Sequence, residues 1–92
     1  EAFLDGLFGS FIEQATETIE VLRRAARGSD SEAFAKVVRS LRESSTSVGA
    51  NLLAGVCQHM ETLCGTGALG EARTLVDQLE YEFGRVKRAL VT

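Results

Sequence analysis

The sequence predicts an all-α domain, an antiparallel up-down four-helix bundle with a short N-terminal lead-in helix, and three observations carry that prediction. The 92 residues contain no proline. Apolar residues recur at spacings of three and four, with no alternating β-branched runs. The stripes they form are separated by short glycine-bearing stretches, which favour antiparallel neighbours. A chain of this length buries roughly 60 to 65% of its unfolded surface, enough for one modest core. Residues 1–92 are therefore read as a single domain.

The first stripe runs through Phe3, Leu4, Leu7, Phe8, Phe11, Ile12, Ala15, Ile19 and Leu22. Gly6 and Gly9 near its start predict a short lead-in helix running into a longer one. Glu13, Glu17 and Glu20 precede Arg23, Arg24 and Arg27, the order the helix dipole favours, and Gly28 stops the helix. Ser29, Asp30 and Ser31 then offer N-caps, with Ser29 and Glu32 spaced as a capping box. The second helix extends to about Ser47 with Phe34, Val37, Val38, Leu41, Ser45 and Val48 on its core face. A turn at Val48-Gly49-Ala50 leads into a third helix bearing Leu53, Val56, Cys57, Met60, Leu63 and Cys64 on one side, which Gly65-Thr66-Gly67 ends. The last helix aligns Ala72, Leu75, Val76, Leu79, Phe83, Val86 and Leu90, with Arg85, Lys87 and Arg88 toward its C-terminus.

Composition narrows the function classes. The chain is 45% hydrophobic and 25% charged with no apolar run near the ~18 residues of a membrane span, so direct membrane insertion is not expected. A net charge of −3 and a pI near 5.1 argue against nucleic acid, whose phosphates call for clustered Lys and Arg. A protein partner is expected instead. Glu1 opens the chain without an initiator Met or a signal region, which points to a domain of a longer polypeptide. Cys57 and Cys64, seven residues apart on one helix, would sit about 10 Å apart, beyond disulfide reach. That fits a reducing cytoplasm, with any tether to the inner membrane supplied by the parent protein.

Few residues offer chemistry. His59 is the single histidine and lies at the edge of the third helix's apolar face, with Thr62 and Leu63 rather than carboxylates at i+3 and i+4. It reads as a boundary residue without a catalytic task. Cys57, Met60 and Cys64 line one face, but no CxxC or converging ligand accompanies them, so they read as core filling and no metal or cofactor is expected. Ser44 and Ser45 have no neighbouring base to activate a hydroxyl. The solvent face of the second helix remains, where Lys36, Arg39, Glu43 and Thr46 share a narrow arc flanked by Glu32 and Arg42. Arg39 and Glu43 stand at i, i+4, a spacing that contributes only about 0.3 to 0.5 kcal/mol when exposed, and whether they pair is left open.

The stretch "RSLRESSTSVGANLLAGVCQHME" resembles the signature of bacterial histidine phosphotransfer domains, His-x-Leu-Lys-Gly-Ser-Ser/Ala-x-x-Leu-Gly-Ala followed by a Leu, a Cys and a Leu-Glu. Leu41, Ser44, Ser45, Val48, Gly49, Ala50, Leu53, Cys57 and Glu61 hold those places. The flanks "FGSFIEQATETIEVLRRAARGSDSEAF" and "LVDQLEYEFGRVKRAL" resemble the preceding and closing helices, so the likeness covers nearly the whole chain. It implies a four-helix bundle of a two-component phosphorelay whose second helix docks onto response-regulator receiver domains, in cis or in trans.

Carried over, the phosphoacceptor position falls on Arg39, the usual lysine on Arg42 and the clearance glycine on Glu43. A guanidinium stays protonated at physiological pH and offers no lone pair for attack on an aspartyl phosphate. Glu43 adds bulk and negative charge where the family keeps an open surface. The resemblance thus implies a module that docks receivers through Lys36, Arg39, Arg42, Glu43, Ser44 and Thr46, without phosphoryl transfer and without enzymatic activity of its own. Its expected parent is a hybrid histidine kinase. Two other readings stay open at this point: an active phosphotransfer domain whose acceptor histidine has been replaced by Arg39, and a purely structural or dimerising bundle.

Overall fold

A computed structural model describes residues 2–28 and 30–91, with side chains for 8–28 and 30–89. Its helices are α1 (Ala2–Arg27), α2 (Ser31–Ser47), α3 (Asn51–Gly65), α4 (Leu69–Thr74) and α5 (Val76–Val91). The lead-in segment is helical as expected but is no separate element, because α1 runs unbroken through Gly6 and Gly9. Each glycine costs a helix only about 1 kcal/mol. The turns that follow are anchored in the core by Phe11, Ala15, Ile19 and Leu22, which offsets that cost. At 1.5 Å per residue such a helix is about 39 Å long, nearly the full 43 Å of the molecule's longest axis. Phe3, Leu4, Leu7 and Leu90 lie outside the described side chains.

Local chemistry sets the element ends. Asp30 caps α2, its Oδ1 accepting from the backbone N–H groups of Glu32 and Ala33 at 3.1 Å each, so two of the orphan donors of the first turn are satisfied. The expected Ser29 box lies outside the described residues. Two further turns follow one pattern. After α2, Gly49 takes a φ of 78°, Ala50 N–H donates to Ser45 C=O at 2.8 Å and Gly49 N–H to Thr46 C=O at 3.1 Å. After α3, Gly67 takes a φ of 81°, with Ala68 N–H on Leu63 C=O at 2.8 Å and Gly67 N–H on Cys64 C=O at 3.2 Å. Both are Schellman ends, which need a left-handed residue and so favour glycine.

The last stripe departs from expectation. Instead of one helix it forms α4 and α5, broken at Leu75, whose N–H donates to Ala72 C=O at 3.1 Å. Thr74 Oγ1 donates to Glu71 C=O at 2.6 Å, a local bond that competes with the helical ladder. Arg73 reaches across to the backbone carbonyl of Gly28, tying α4 to the end of α1. Together α4 and α5 form the fourth arm of the bundle.

The arms close in chain order: α2 packs between α1 and α3, and α5 packs against α1 and α3. Phe34, Leu22, Leu41, Leu53, Met60 and Leu79 are the largest fully buried side chains, drawn from every long helix. Phe11 and Phe83 meet edge to face with ring centroids 6.4 Å apart, a favourable quadrupole geometry. On the rim, Arg23 Nε donates to Glu80 Oε2 at 3.0 Å and joins α1 to α5. Among the described residues, no helix is long and apolar enough to cross a membrane.

Candidate functional site

The second helix divides sharply into two faces. Phe34, Val38, Leu41 and Ser45 point inward and are buried. Ser45, the one buried polar residue of the described set, donates Oγ–H to Leu41 C=O at 2.7 Å. That bond satisfies the hydroxyl and leaves a small side chain where α2 meets α3. Lys36, Arg39, Glu43 and Thr46 are exposed on the other face, while Arg42 and Ser44 are half-buried at its margins. Ser44 borders α1 and Arg42 borders α3, so these two flank the four exposed residues on opposite sides.

The packing of α3 against α2 adds a residue to that surface that periodicity did not single out. Glu61, 19% exposed, lies against α2 and accepts from two guanidinium groups. Arg42 Nε donates to Glu61 Oε2, and Arg39 Nε donates to Glu61 Oε1 at 3.5 Å. The two contacts differ in kind: Arg42 is 35% exposed and closely held, whereas Arg39 is 62% exposed and touches at the outer limit of a hydrogen bond. The hydrogen bond to Glu61, and after it the carboxylate's charge, raise the Arg42 guanidinium above its ordinary pKa. Arg39 turns to α3 rather than to Glu43, whose side chain makes no ion pair among the described residues. One signal for Glu61 existed in the sequence, since it fills the acidic place that closes the phosphotransfer signature.

The remaining polar groups are quiet. Thr46 Oγ1 donates to Arg42 C=O at 2.9 Å and Ser47 Oγ to Glu43 C=O at 3.0 Å, so both hydroxyls are bound back to their own helix. Beside the basic face, Lys36, Val37 and Ser40 line a shallow groove against Glu17, Thr18 and Val21 of α1. Val21 is 41% exposed there, giving the polar surface an apolar border.

The other candidates lie apart from this face. His59 is exposed on α3. Cys57 is fully buried in the core, and burial pushes its thiol up to about 12. Cys64 is half-buried and is also raised, again chiefly by burial. Both cysteines are free; burial and the charge of Glu61 outweigh the opposing pull of Arg42 on Cys57, so its thiol is held away from the reactive thiolate form. Among the described residues no three His, Cys, Asp or Glu side chains gather as a metal site would require.

Comparison with protein families supplies the class. The family model described as the Hpt domain matches residues 6–89, and the chain belongs to that family, the phosphotransfer modules of phosphorelay signalling. Domains of this kind interact with receiver domains and are not catalysts in their own right. Comparison with curated proteins and with solved structures returned no match.

Proposed function

We propose that this Hpt domain docks receiver domains through the outward face of α2 without itself carrying a phosphoryl group. The observation that carries the reading is Arg39, exposed at the position where the family signature places its histidine. Transfer from an aspartyl phosphate needs a nitrogen lone pair to attack phosphorus as the P–O bond to the aspartate breaks and the carboxylate leaves. A protonated guanidinium has no such pair. What a guanidinium retains is the ability to donate fork-like hydrogen bonds to carboxylate or phosphoryl oxygens, which suits docking. The preserved core face supports the same reading, since it holds α2 in the attitude that presents Lys36, Arg39 and Thr46 outward.

The test is incubation with a phosphorylated receiver followed by acid treatment and autoradiography. The expected outcome is no acid-labile label on the wild-type domain, little on Arg39→His, and label on Arg39→His combined with Glu43→Gly. Label on the wild-type domain would overturn the absence of transfer. Strong label on Arg39→His alone would show that Glu43 does not obstruct approach and that the acceptor replacement is the only lesion.

A further inference from the structure

Glu61 is placed to do more than brace two helices. Its carboxylate is shared by Arg39 and Arg42, the two guanidinium groups that a docking partner with an acidic pocket would engage. The three side chains carry two positive charges and one negative, so Glu61 already supplies the anion that such a partner would offer. Arg42 is the fixed arm, closely bound and half-buried. Arg39 is the free arm, held by one exposed contact at 3.5 Å, the kind of ion pair that contributes little in water and can be exchanged for a better acceptor at small cost.

We propose that Glu61 is a built-in competitor at the docking face: it occupies Arg39 and Arg42, lowers the affinity for an acidic receiver surface, and is displaced from Arg39 when a receiver binds. This deepens the docking reading and rests on it. Glu43 provides the internal contrast. It carries the same charge on the same face, but it holds neither guanidinium, so removing its charge changes the field without releasing an arm. The Glu61→Gln side chain keeps the shape of glutamate and one carbonyl acceptor for Arg42, so the helix packing is preserved while the second guanidinium is freed.

The experiment is calorimetric titration of the wild type, Glu61→Gln and Glu43→Gln with receiver domains from the same genome, each unphosphorylated and treated with beryllofluoride as a phosphoryl mimic. Glu61→Gln is expected to bind about three- to tenfold more tightly, with a steeper salt dependence, and Glu43→Gln no more than about twofold more tightly. A wild type that is silent while Glu61→Gln binds would support the competitor equally. Equal affinities for the wild type and Glu61→Gln would overturn the competitor while leaving docking intact. Equal gains in the two variants would overturn it as well, reducing the effect to net charge. Absence of binding by all three proteins would remove the docking reading and this inference together.

Discussion

The two faces of α2 are the instructive comparison in this molecule. Inward, Phe34, Val38, Leu41 and Ser45 are constrained on all sides, and the polar member is satisfied by its own helix. Outward, Lys36, Arg39, Glu43 and Thr46 face water, and on the reading proposed above the departures from the family signature, at Arg39 and Glu43, fall on this face. Packing restricts the inner face because interiors are close-packed and a lost methylene is felt. No such restriction acts on an exposed side chain, where most substitutions change stability by less than about 0.5 kcal/mol. The fold of a phosphotransfer module can therefore persist while the residues that do its chemistry change.

The comparison breaks most visibly if the inner face tolerates truncation. Phe34 is fully buried, and Phe34→Ala is expected to cost about 3 to 5 kcal/mol, read as a lowered midpoint in urea unfolding monitored by circular dichroism. A loss below about 1 kcal/mol would mean that the core relaxes around the site and that the two faces are not as different as their burial indicates.

A second expectation concerns the thiol beneath the α2–α3 contact. Burial raises Cys57 to about 12 from an ordinary 9.0, so between these values the unfolded chain has lost a proton that the folded chain keeps. Stability contributed by the neutral buried thiol is fully present below pH 9 and declines as pH rises toward 12, with a limiting slope of about 1.4 kcal/mol per pH unit. Urea midpoints of the wild type and Cys57→Ala should therefore converge across that window. Parallel curves would show that the thiol is not desolvated in solution.

The smallest expected effect falls on the outer face. Arg39→Ala should change stability by no more than about 0.5 kcal/mol, since the lost partner is a weak contact of an exposed side chain, in the same urea assay that registers Phe34→Ala. A cost above about 1.5 kcal/mol would mean that the Arg39–Glu61 contact is structural and that Arg39 is not free to engage a partner.

Much of this protein was legible along the chain. The apolar stripes placed Phe34, Val38 and Leu41 inward and Lys36, Arg39 and Thr46 outward, because helical periodicity is a local property. Gly49 and Gly67 marked two helix ends because a left-handed turn strongly favours the residue without a Cβ. The same local reading separated a lead-in helix from α1 at Gly6 and Gly9, and ran the last helix straight through Leu75. Both expectations failed for one reason: propensity weighs single residues, whereas the anchoring of Phe11 and Ala15 in the core, and the bonds of Arg73 and Thr74, act on whole turns.

The family was thus written in the order of the residues, because a signature is a matter of spacing. The partner of Arg39 was not. An i, i+4 rule offers Glu43, four residues away on the same helix, yet the structure gives Glu61, 22 residues along the chain. That choice was made by the packing of α3 on α2, which brings a half-buried carboxylate within reach of two guanidinium groups. A less hydrated carboxylate attracts a cation more strongly than one standing freely in water.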